Sequence, residues 1–233
     1  MTIRILGAGG VKEGMRRTAE LFSAETGIAH EIEIAPGPLI EERALAGTAD
    51  ADLVVIPRPQ FDGLVAAGKV PADDVALLGF VTVGVTIRNG DREPDLSSRD
   101  TFIESLLSAE RIIYNQASSG TYVAGTLARI GIADRIKDKV SVLPDGKSAM
   151  EALAADRSGN AIGFGHATEI RFHDYLGTHF VGPLPGDIGR QTPYAAGVLG
   201  ASETPEAARG LIALMTSPRG KALFVETGVL QAA

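Results

Sequence analysis

Ser118-Ser119-Gly120-Thr121 places three hydroxyls and a bare glycine in one short run. Before it stands Arg111-Ile112-Ile113-Tyr114, which reads as a buried strand. After it, Tyr122, Val123, Leu127 and Ile130 are apolar at helical spacing, with Gly131 as the C-cap. The run therefore falls where a helix begins. A helix start leaves backbone N–H groups unpartnered and carries about half a unit of positive charge. Hydroxyls and a glycine at that point make an anion cradle; the plainer alternative is an ordinary Ser/Thr N-cap. Small-residue or glycine-rich turns recur after other apolar runs, at 7–10, 36–38, 57–59, 145–148 and 165–168. They add Gly9, Gly10, Gly37, Arg58, Ser148 and His166 to Ser118, Ser119, Gly120 and Thr121 as candidate binding residues.

Charge and composition narrow the partners. A net charge of −7 without any Lys/Arg cluster argues against nucleic acid and anionic membranes. With no cysteine there is no disulfide, thiol chemistry or thiolate–metal site. His30, His173 and His179 are too scattered to bind a metal and read as structural. No metal or cofactor is expected. No apolar run is long enough to span a bilayer. Thr2–Leu6 reads as a short strand, not as the basic start and apolar core of a secretory leader. As written, that places the chain in the cytoplasm; if a leader was removed, it belongs in the periplasm.

The elements that must hold these residues alternate regularly. Strands are expected at Ile3–Leu6, His30–Ala35, Asp52–Ile56, Val75–Arg88, Arg111–Tyr114, Val140–Leu143, Ala161–Phe164, His179–Val181 and Tyr194–Leu199. Helices are expected at Val11–Ala24, Leu39–Ala46, Gln60–Ala67, Asp100–Ala109, after Ser118, and at Lys147–Ala155. A short one follows the loop Gly165–Thr168. The tail ends in two more, Pro205–Met215 capped by Thr204 and Pro218–Thr227 capped by Ser217. This is an α/β pattern with mostly parallel sheets. Two β-rich crossings divide it into a first lobe, residues 1–82 plus 190–233, and a second lobe, residues 83–189. Ligands of such sheets lie outside the carboxyl ends of the strands, so the loops are expected to face a cleft between the lobes. Gly7-Ala8-Gly9-Gly10 lacks the third glycine of a dinucleotide fingerprint, which leaves a nucleotide site a distant reading.

The chain resembles the periplasmic molybdate-binding protein family, within the type II solute-binding fold. The resemblance runs through Ala51-Asp52-Leu53, Gly120-Thr121-Tyr122 with Leu127 and Gly131, and Ala161–Ala167. It continues through Glu206-Ala207-Ala208-Arg209, Ser217-Pro218 and Gly228. It implies an oxyanion site of hydroxyls and backbone N–H groups, without metal or catalysis. The family's first-loop serine falls on Gly10, its second on Gly37-Pro38, its alanine on Ser119 and its tyrosine on Phe164. A micromolar ligand requires about 8 kcal/mol, while one helix end gives roughly 0.3–1 kcal/mol, up to ~2 when partly buried. Direct donors must supply the rest, and Arg58, His166, Arg190 and Ser148 are the candidates in loops. Arg58, between two prolines, would clamp a carboxylate in bidentate fashion.

Two functions follow. The first is a binding protein for a small anion, an oxyanion or a di- or tricarboxylate, with an ABC transporter permease as partner only if exported. The second is an isomerase on the same fold, similar to aconitate isomerase. There Arg58 and Ser118–Thr121 would hold carboxylates while His166, the one catalytic candidate, moves a proton.

Overall fold

The structure is a computed structural model, and it describes residues 1–231. In chain order the elements are β1 (Thr2–Ala8), α1 (Lys12–Thr26), β2 (Ala29–Ala35), α2 (Gly37–Ala46), β3 (Leu53–Pro57), α3 (Gln60–Ala66) and β4 (Ala76–Arg88). Next come α4 (Arg99–Ser108), β5 (Arg111–Asn115), α5 (Ser118–Arg129), α6 (Ala133–Ile136), β6 (Val140–Leu143) and α7 (Gly146–Ala155). The last are β7 (Ala161–His166), α8 (Ala167–Phe172), β8 (Thr178–Pro183), β9 (Gln191–Val198), α9 (Pro205–Thr216) and α10 (Pro218–Glu226). The chain forms two compact units. Unit 1 holds residues 1–81 and the segment from Thr192 onward; unit 2 holds residues 82–191.

In unit 1 the strands lie in the order β2-β1-β3-β9. The pairs β1–β2 and β1–β3 are parallel, and β9 runs antiparallel to β3. Helix α1 packs through Met15, Ala19 and Phe22, all buried at the expected helical spacing, into a core with Phe61, Leu211, Met215 and Phe224. In unit 2 the order is β4-β7-β5-β6, with β8 also on β4. Here β5 pairs in parallel with β6 and β7, while β4 is antiparallel to β7 and β8. Its core gathers Phe102, Ile112, Val123, Leu127, Ile162 and Phe164.

The α/β reading therefore holds with a mixed sheet instead of a mostly parallel one, because β9, which follows the parallel strands of unit 1, and β4, which precedes those of unit 2, run antiparallel to their neighbours β3 and β7. Several boundaries also move. Gly7 and Ala8 belong to β1, where both pair with β2, so the glycine turn starts at Gly9. Gly37 opens α2, with Pro36 in the extended N-cap conformation. Ser148 lies inside α7, whose N-cap is Asp145. His166 ends β7, paired with Val83, and is not in a loop. The Thr204 side chain makes no cap bond, whereas the Ser217 hydroxyl accepts from the Gly220 amide as expected.

Asp52, fully buried just before β3, ties unit 1 together. Its carboxylate accepts from the Arg4 amide at 2.8 Å and from the Ser202 hydroxyl at 2.7 Å. Its own backbone bonds Arg4 and Leu199. Burial pushes this carboxyl up, and the Arg4 amide, the Ser202 hydroxyl and the Arg4 guanidinium more than reverse that, leaving it below its ordinary value. A lowered carboxyl contributes stability above its unfolded value and loses it as pH falls through the folded one. Asp52→Ala should therefore cost about 2–4 kcal/mol in urea unfolding at neutral pH, from two donors left buried and unmatched. Wild type should lose that advantage below about pH 3.8, so the gap between the two proteins narrows on acidification.

Candidate functional site

The turn from β5 into α5 is built by Asn115, which is 1 % exposed. Its side-chain carbonyl accepts from the Ala117 amide at 3.0 Å and the Gly120 amide at 3.3 Å. Its amide group donates to the Ser119 hydroxyl at 3.2 Å, and that hydroxyl stands 3.3 Å from the Asn115 side-chain carbonyl. The N-cap is Ala117, in extended conformation and without a side-chain cap, so the Ser/Thr-cap alternative does not apply here. Gly120 is required by space alone, since a Cβ on it would overlap the Asn115 carbonyl.

This geometry sorts the four cradle residues. Ser119 is buried and its hydroxyl serves Asn115. Gly120 spends its amide on Asn115, and the Thr121 amide bonds the Ala117 carbonyl. The amides of Ser118 and Ser119, first and second in α5, have no intrahelical acceptor. Ser118 and Thr121 are exposed. The Ser118 hydroxyl lies 3.2 Å from His166 Nε2, a contact spanning 48 residues of sequence. Among the predicted site residues, this is the pair that the fold brings into contact.

His166 is a half-buried residue whose Nδ1 is buried with no hydrogen-bond partner. Burial of the ring lowers its pKa, and the Thr82 backbone beside it offsets only part of that. The imidazole is therefore neutral at pH 7. Its Nε2 either accepts from Ser118 or donates to it, depending on which nitrogen carries the proton. A neutral base next to an exposed hydroxyl and two free helix-end amides can bind an anionic oxygen and can exchange a proton with a group beside it.

The other candidates are placed differently. The Ser148 amide donates to Asp145 at 2.8 Å. The start of α7 is covered by the chain's own acid, for the Glu169 carboxylate packs on Gly146 so closely that a Cβ there would overlap it. In unit 1, the exposed Arg58 guanidinium is held by Asp62 at 2.7 Å, one turn away. Gly37 faces Gln60, whose Oε1 would lie 2.7 Å from a Cβ at Gly37. Gly9 and Gly10 form the short turn leading into α1. Arg190 is exposed, and its carbonyl accepts from the Thr82 hydroxyl at 3.1 Å. Phe164 is buried edge-on against Phe102, so it serves the core. Among the described residues no cluster of acidic and histidine side chains is placed to hold a metal ion, and no helix is long and apolar enough to cross a membrane. Sequence reasoning gave no role to Asn115. Its signal was an amide side chain five residues ahead of a glycine, at a strand end.

Residues 3–230 match the family described as bacterial extracellular solute-binding protein. An aconitate isomerase from a Pseudomonas species is 28 % identical over 233 residues, spanning 98 % of this chain and 87 % of that protein. A structure described as the substrate-binding domain of a molybdenum ABC transporter from Clostridium difficile superposes with a TM-score of 0.78. It is 20 % identical and covers 100 % of this chain and 99 % of its own. The Azotobacter vinelandii periplasmic molybdate-binding protein gives 0.71 at 12 % identity, covering 99 % of this chain and 100 % of its own. At such identities the superpositions establish the fold.

Gly120→Ala forces the α5 start off the Asn115 carbonyl and should cost about 1–3 kcal/mol, read from the shift of the denaturation midpoint. His166 gives a pH test. The unfolded chain takes up a proton near the ordinary value of 6.5, while the folded imidazole resists it. Between the two values the unfolded state holds more protons, so stability falls as pH drops below 6.5. The His166→Gln variant should show a shallower loss over pH 6.5 to 5, measured by urea unfolding at each pH.

Proposed function

This chain belongs to the bacterial extracellular solute-binding protein family, and from that premise we propose that it binds a small anion at the start of α5. The ligand class is an oxyanion or a small polycarboxylate. Its oxygens would be met by the amides of Ser118 and Ser119, the Ser118 hydroxyl and His166 Nε2, with Thr121 at the rim. The observation that carries this reading is the 3.2 Å contact between Ser118 and His166 at a helix end with two open amides. Each hydrogen bond to a charged group contributes about 1.5–3 kcal/mol, and the helix end adds up to ~2. Those donors together approach the roughly 8 kcal/mol of a micromolar complex. In this reading the protein works outside the cytoplasmic membrane, as the receptor that delivers its anion to an ABC transporter. The molybdate- and molybdenum-related neighbours support an oxyanion.

One observation favours a second reading. The aconitate isomerase aligns over nearly the whole chain, and the neutral imidazole of His166 has the properties of a general base. As an isomerase, the protein would hold a carboxylate on the α5 amides. His166 Nε2 would take a proton from the carbon next to that carboxylate and return it at the far end of the allylic system, so that the double bond moves and no atom is lost.

A thermal-shift panel of molybdate, sulfate, citrate and trans-aconitate tests both. At about 100 times its dissociation constant a bound anion should add about 2.7 kcal/mol of stability, and Ser118→Ala should weaken that ligand about tenfold or more. A protein stabilised by none of the four does not bind anions of this class. Proton NMR of trans-aconitate in D2O with the protein then separates the two readings. Deuterium uptake and conversion that disappear in His166→Ala, with binding kept, mark the isomerase; an unchanged substrate marks the receptor.

A further inference from the structure

Tyr194 lies on β9, opposite Pro57 of β3, within unit 1. It is 8 % exposed, so its ring is part of the unit 1 core. A tyrosine buried to that degree usually gives its hydroxyl an internal partner. Here it does not: among the described residues the Tyr194 hydroxyl makes no hydrogen bond, and it is not sealed from solvent. It points at the glycine turn ahead of α1. A Cβ on Gly10 would come within 2.6 Å of the hydroxyl oxygen and 2.9 Å of the ring carbon bearing it. Gly10 is therefore glycine because the phenol occupies the place where a side chain would stand. The hydroxyl is fixed by the packed ring behind it, and it stands beside the Gly9–Gly10 turn that leads into the 15-residue helix α1.

We propose that Tyr194 is an anion-binding residue: its hydroxyl donates a hydrogen bond to an ionised oxygen seated at the Gly9–Gly10 turn. This rests on the reading that the chain binds a small anion, and it names a side-chain donor within unit 1. A serine at position 10 would carry its hydroxyl on its own short side chain. In this chain the same spot is served from across the sheet, by a group that stays protonated at neutral pH and donates to fully ionised carboxylates or oxyanions. A rigid phenol loses little conformational freedom on binding, so the hydrogen bond contributes most of its strength.

The test titrates wild type and Tyr194→Phe with molybdate, sulfate, citrate and trans-aconitate by calorimetry, beside the unfolding temperature of each free protein. For any probe that wild type binds, the phenylalanine variant should bind about 10- to 100-fold more weakly. Its ligand-free unfolding temperature should stay within about 2 °C of wild type, since the ring is kept. Gly10→Ala leaves Tyr194 in the sequence but displaces its hydroxyl, and should show a similar loss; it carries the test if the phenylalanine variant does not fold. Fluorine NMR of 3-fluorotyrosine protein, which has four tyrosines, should show the Tyr194 resonance moving on addition of the bound probe. Equal affinity of wild type and Tyr194→Phe, or a Tyr194 resonance that stays still, overturns the role of Tyr194 and leaves the anion-binding reading standing. No binding of any probe by wild type overturns both.

Discussion

The backbone at Gly120 runs so near the Asn115 carbonyl that no side chain fits between them. Everything at the candidate site in unit 2 depends on that approach. It brings the first turn of α5 down onto the end of β5, where Asn115 can reach the amides of Ala117 and Gly120 with one oxygen. With those donors satisfied internally, the amides of Ser118 and Ser119 are left as the open ones. The helix phase does the rest. Successive residues are about 100° apart, so Ser119 turns inward to Asn115 while Ser118 turns outward to His166. An N-cap serine or threonine would have placed its hydroxyl on the N2 or N3 amide. An asparagine two residues earlier does that work and leaves the Ser118 hydroxyl to face His166.

The partner histidine is delivered by sheet register. β7 lies beside β5 in parallel, with Ile113 opposite Gly163, and beside β4 antiparallel, with Val83 opposite His166. Held by neighbours on both sides, the end of β7 presents His166 at the same edge as the start of α5. The ring sits in a place that resists protonation because its Nδ1 is buried. The same burial makes its position definite. A charged and solvated histidine would sweep a larger volume and lose the 3.2 Å contact for much of the time.

Much of this was legible in the chain and some was not, for identifiable reasons. Apolar periods of about 3.6 and 2 residues located the strands and helices, because burial demands them wherever an element faces a core. The α/β architecture follows from their order, while the family is carried by a resemblance in motifs such as Gly120-Thr121-Tyr122 and Ala161–Ala167. Strand direction was less accessible: Tyr194–Leu199 reads the same in either sense, and only pairing with β3 makes β9 antiparallel. Side-chain orientation at helix starts was also hidden. Ser118 and Ser119 are identical in sequence terms and opposite in role, and the cradle as a whole was credited with hydroxyls that Asn115 consumes. Gly37 reads as a loop residue because α2 starts two residues ahead of the expected Leu39, whereas Ser148 already falls within the expected helix Lys147–Ala155, and its amide turns to Asp145 instead of to a ligand. The Gly10–Tyr194 approach joins residues 184 positions apart, and nothing local to either one announces it.

The donor set has a common chemical character. The arginine expected to clamp a carboxylate, Arg58, is engaged by Asp62, and Arg4 is engaged by Asp50. With a net charge of −7 the protein's long-range field does not attract anions. At the start of α5 the outward groups are helix-end amides, hydroxyls and an imidazole whose pKa burial lowers, while Arg190 of the same unit is an exposed cation. Neutral donors bind an anion through geometry, one hydrogen bond per lone pair, and hold it weakly unless most of its oxygens are matched. A site of dipoles distinguishes ligands by the number and spacing of their ionised oxygens, and it leaves the imidazole basic enough to accept a proton. On the two readings proposed above, such a donor set would serve a receptor that must let its solute go or an enzyme that must move a proton on a carboxylated substrate.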